Sequence, residues 1–142
     1  MKLRFFVVLC SLLSAVACHA AGADKVAPAE PPVDVSVRLV NAAVGEDVKP
    51  NDPRVTQTRT WIVQAMKATG EEDEAVASAC MRLSRYLLDV TKISVSPLEV
   101  LEILAKHAPA GKPMNETTNR YFDLRVKKKL GHAEAMVALA GK

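Results

Sequence analysis

The sequence predicts an all-α protein: a small bundle of four to five helices over residues 53–140, preceded by an export signal and an extended N-terminal arm. Two observations lead there. From Asp52 onward the apolar residues recur every three to four positions, the spacing of one helix face. Ser, Asp, Pro and Gly stand where such helices would begin and end. The chain has 142 residues, enough for one domain, and its 49% apolar and 25% charged side chains suit a packed core.

The N-terminus reads as a secretory leader over residues 1–23. Lys2 and Arg4 supply a positive start, and Phe5 to Ala17 is an uncharged run of 13 residues. As a helix that run reaches about 20 Å, too short for a bilayer core of about 30 Å. Ala21-Gly22-Ala23 offers a signal peptidase its small residues before Asp24. A second cut competes with it: Ala15-Val16-Ala17-Cys18 resembles a bacterial lipobox, with Ala15 where Leu is usual. That cut would leave Cys18 as a lipid-bearing first residue, and the lipid would then be the chain's one route to a membrane. With Cys10 in the leader and Cys18 removed or acylated, only Cys80 remains, so no internal disulfide is expected.

Residues 24–52 read as a linker. The stretch is rich in Ala and Pro at its start and in turn residues at its end. Between these lies a candidate strand, 33–40, in which Val33, Val35, Val37 and Leu39 alternate with Asp34, Ser36 and Arg38. A single strand has no ladder partner in the chain. It is a candidate interaction arm, one that would dock in extended form on the domain, pair with its own copy in a homodimer, or add to a partner's sheet edge.

Residues 53–142 form the expected helical domain. The first helix opens with Asp52 as N-cap and Pro53 in the first turn, buries Val55, Ile62, Ala65 and Met66, and stops at Gly70. The second begins in the acidic run Glu71 to Glu74, which suits a helix N-terminus. Its apolar stripe is Val76, Cys80, Leu83, Leu87 and Val90. The third starts at a capping box, Ser96-Pro97-Leu98-Glu99. It is apolar around most of its circumference, with Glu99, Glu102 and Lys106 marking one wet edge, so it belongs at the centre. The fourth runs from a cap at Asn115 through Phe122, Val126 and Leu130 to Gly131, with Lys127 to Lys129 in its last turn. A short fifth turns Met136, Val137 and Leu139 inward.

Sites of chemistry are sparse. Nucleophile elbows, phosphate-cradling glycine loops, zinc spacings and haem attachment motifs are absent from the sequence. No catalytic, cofactor-binding or metal-binding residue is therefore assigned, and a non-enzymatic role is expected. His132 beside Glu134 is a pair rather than a motif. Two of the 19 basic residues, Lys2 and Arg4, fall in the leader, leaving 17 against 16 acidic ones, a balance that argues against a nucleic-acid partner. The candidate interaction face is Arg82, Arg85, Arg120, Tyr121 and Arg125, a set that could meet an acidic partner if the second and fourth helices are neighbours. The expectation is an exported protein of the periplasm or envelope that binds a protein partner as adaptor, inhibitor or immunity protein. The alternatives are a small helical enzyme or anion-binding protein using the arginines, and a secreted effector.

Overall fold

A computed structural model describes residues 33–141. The leader, its two cleavage sites, Cys18 and the first part of the linker lie outside the described residues. Among the described residues the protein is all-α, with six α-helices, one π-helical turn and no strand.

The candidate strand is a helix instead. α1 spans Val35–Val44. Asp34 caps it by accepting the Ser36 amide at 2.7 Å, and Gly45 ends it in a left-handed conformation, φ 75°. The alternation of valines concealed a second pattern of period 3.6, since Ser36, Val37, Leu39 and Val40 form one buried face. That face packs on α2, α3 and α4, and packing outweighs the strand preference of the β-branched residues. Val37 and Leu39 are therefore core residues, Val35 is half-buried and only Val33 is exposed, so the four valine and leucine side chains are not a free arm. The second half of the linker is ordered too. The Asn41 side chain accepts from the Val48 amide at 2.9 Å and donates to Asp47 at 3.2 Å, folding residues 46–48 back onto α1.

α2 runs over Pro53–Thr69, with Asp52 as N-cap and Gly70 closing it in a left-handed conformation. Val55, Thr58, Ile62 and Ala65 face inward. α3 covers Asp73–Tyr86 and passes directly into a π-helical turn, Leu87–Thr91. α4, Pro97–His107, carries the expected capping box: Ser96 accepts from the Leu98 amide, and Glu99 reaches back to the Ser96 amide at 2.6 Å. Val100, Leu101, Ile103 and Leu104 are fully buried because α4 packs against all five other helices. The loop after it is clipped to α2 by the Gly111 amide, which donates to the Ala68 carbonyl at 2.8 Å.

α5 spans Met114–Val126, preceded by Pro113 rather than capped by Asn115. Its inward residues are Thr117 and Tyr121, with Phe122 and Val126 half-buried beside them. The helix stops before the lysines. The Asp123 carbonyl takes both the Lys127 and Lys128 amides, and Lys129 turns left-handed at φ 56°, so Gly131 is free to begin the next element. α6, His132–Ala140, buries Ala135 and Leu139. Val137 was expected inside but is 74% exposed, because a nine-residue helix lying on one side of the body has a narrow inward face.

Candidate functional site

Two places gather the residues of interest, and each follows from how a helix ends. The first is the outer face of α3 and the π-helical turn. Val76, Cys80 and Leu87 are fully buried, as the apolar stripe requires. Val90, the next member of that stripe, is 60% exposed. A π turn takes more residues per revolution than an α turn, so the inward position passes from Val90 to Thr91. Thr91 is half-buried, and its hydroxyl donates to the Leu87 carbonyl at 2.6 Å. Ser84 fixes the following segment by donating to the Val95 carbonyl at 2.5 Å. The outcome is an unusually apolar exterior: Met81, Tyr86, Leu88 and Val90 are all exposed.

Arg82 and Arg85 stand in that exterior. Both are exposed, and neither forms an ion pair or side-chain hydrogen bond among the described residues. They line an open hollow of about 550 Å³ together with Ser78, Met81, Leu88 and Pro97. Asp89 is the one carboxylate lining it. Tyr86 joins this face to α5 through Phe122, with ring centroids 5.7 Å apart.

The other members of the expected arginine set lie elsewhere. Arg120 is exposed on α5. Tyr121 is fully buried and so is not part of any contact surface, because the inward stripe of α5 runs through Thr117 and Tyr121. Arg125 is half-buried, its guanidinium carbon 5.7 Å from the Tyr121 ring centroid, and it lines a separate hollow with Thr91 and Lys129.

The second place is the junction of α4, α5 and α6. His132, the first residue of α6, does not pair with Glu134, whose carboxylate instead accepts from the Gly131 amide at 2.7 Å. The imidazole turns inward. Its Nδ1 lies 2.9 Å from the Tyr121 hydroxyl, and its Nε2 lies 3.4 Å from Glu102. The arrangement fits the tautomer with its proton on Nε2, where Nδ1 accepts from the phenol. Glu99 is 3.9 Å from Nδ1. Glu102 also receives Lys106, whose ammonium sits 5.9 Å from the Trp61 ring centroid on α2.

Electrostatics follow from this packing. Burial above all, with a push from the nearby carboxylates Glu99 and Glu102 against the pull of Arg125, raises the Tyr121 hydroxyl to about 12. Burial also raises Glu102, but hydrogen bonds from Lys106 and His132 outweigh it and hold the carboxyl below its ordinary 4.5. A phenol this deeply buried stays protonated and out of reach of solvent. The cluster's chemistry is to hold α6 against α4 and α5. Among the described residues no group of three His, Cys, Asp or Glu side chains could hold a metal ion. No described helix is long and apolar enough to cross a membrane.

The sequence marks the wet edge of α4 through Glu99, Glu102 and Lys106, but not its occupant. His132 comes 30 residues later, and only the placement of α6 brings it there. No family model, curated protein or solved structure matches this chain.

Proposed function

We propose that this chain is an exported protein of the periplasm or envelope that acts by binding a protein partner, as an adaptor, inhibitor or immunity protein, through the outer face of α3 and the π-helical turn. The reading rests on one observation above the rest: two guanidiniums without partners, Arg82 and Arg85, flank exposed Met81 and Leu88 around one open hollow. Arginine combined with large apolar side chains is the composition that carries binding energy at protein interfaces. The matching partner segment presents carboxylates beside apolar side chains, so that each guanidinium gains a planar two-point contact. The π turn supports the same reading, since single π turns in helices are frequent at functional sites. Export rests on Lys2, Arg4 and the apolar run to Ala17.

The test is a charge reversal on the exposed face. Tagged protein purified from the cell envelope should bring down a stoichiometric protein partner, and Arg82→Glu with Arg85→Glu should remove it while Arg120→Glu retains it. Capture that survives the double reversal overturns the α3 surface. Mass spectrometry of the mature N-terminus checks the compartment. A chain starting at Asp24, or at an acylated Cys18, supports export, and an intact Met1 refutes it.

A further inference from the structure

At the end of α5 a second hollow, of about 500 Å³, has a different chemistry. Arg125 and Lys129 line it, and no carboxylate does. Neither side chain forms an ion pair among the described residues. The Arg125 Nε is buried and meets no hydrogen-bond acceptor. Three of its seven lining residues are apolar, the half-buried Ile93, Val126 and Leu130. Lys129 is held in its left-handed conformation, φ 56°, by the turn in which the Leu130 amide donates to the Leu124 carbonyl at 3.1 Å. A non-glycine residue at positive φ is uncommon, and here it roots the lysine on the rim of the hollow. The acids that flank this segment are engaged elsewhere: Asp123 pairs with Lys127 at 2.8 Å, and Glu134 is turned to the Gly131 amide.

We infer that this hollow binds a small organic acid, its carboxylate between Arg125 and Lys129 and its hydrocarbon part against Ile93, Val126 and Leu130. The Arg125 Nε is shut away from water with no acceptor, and no carboxylate lines the hollow, so an oxyanion there supplies the counter-charge the protein withholds. The apolar wall gives the ligand's other end its contact, the usual division between anchoring polar groups and hydrophobic lining in small-molecule sites. The inference does not depend on the α3 surface, which lies on other residues.

Hexanoate is the probe, followed by amide shifts in the ¹H–¹⁵N spectrum of the purified protein. Hexanol serves as the uncharged counterpart and inorganic phosphate as the anion without a hydrocarbon part. Saturable shifts centred on Thr91, Lys129 and Gly131 are expected with hexanoate. Hexanol and phosphate should each bind at least about tenfold more weakly, the loss expected when one of two contacts is removed. Lys129→Gln, at an exposed position that leaves the core intact, and Arg125→Gln should each raise the hexanoate dissociation constant by a similar factor. Arg82→Glu should leave it unchanged, which separates this site from the partner surface. Equal binding of hexanol, equal binding of phosphate, or undiminished binding by Lys129→Gln overturns the inference.

Discussion

Cys80 sits where no solvent reaches it, and burial pushes its thiol up to about 12. The thiolate is the reactive form, so the native protein should resist iodoacetamide at pH 8, with labelling appearing only as urea unfolds the chain. Rapid labelling of the folded protein would show that the core opens there. Acid acts on a different set of side chains. Burial raises the Asp34 carboxyl, but hydrogen bonds from Arg59 and the Ser36 amide more than offset it, and the net value falls below 3.8. Glu102 lies below 4.5 for the parallel reason, its bonds to Lys106 and His132. A carboxyl depressed in the folded state contributes stability above its unfolded pKa, and that contribution is lost as pH falls through the folded value. Stability should therefore hold down to about pH 4.5 and decline below it. Glu102→Gln should flatten that decline, read as the urea midpoint at pH 7 against pH 3.5. Glu102 was legible from sequence as a wet-edge residue of its helix. Its partner His132 was not, because nothing local distinguishes a histidine that faces a neighbouring helix from one that faces water.

Helix boundaries were legible where a side chain makes the cap. Asp52 with Pro53, and Ser96 with Glu99, stand as the capping rules place them. Ser96→Ala should cost about 1 kcal/mol by urea denaturation, since it leaves the Leu98 amide unpaired. Gly70→Ala should cost about 1–2 kcal/mol even though a Cβ there meets open space, because φ 75° is the penalty. Boundaries set by the backbone alone were illegible. α5 stops at Val126 through carbonyl sharing at Asp123, and the π turn displaces Val90, and neither has a residue signature. α1 shows the deeper difficulty. Over 33–40 a two-residue and a 3.6-residue pattern coexist, and only the presence of α2, α3 and α4 on one side selects the helix.

The whole molecule depends on α4. Its apolar girth announced a central position, and it touches every other helix. Leu101→Ala should cost about 2–5 kcal/mol, the range for a fully buried leucine that leaves a cavity among rigid neighbours. Domains of this size hold about 5–15 kcal/mol in total, so thermal unfolding of that variant should shift far down while remaining a single transition. The class, all-α, was legible from periodicity alone. The two hollows were not, since each is a relation between elements that periodicity does not encode. Centrality also has a consequence for synthesis. α4 comes after α1, α2 and α3 in the chain, so those helices are made before the element that completes their core. The three pack on one another, but the part of each inward face that α4 covers stays open until residue 107 has emerged. The apolar side chains of α1, α2 and α3 that α4 later covers are the ones a nascent chain exposes, and they mark where it is open to wrong association until α4 arrives.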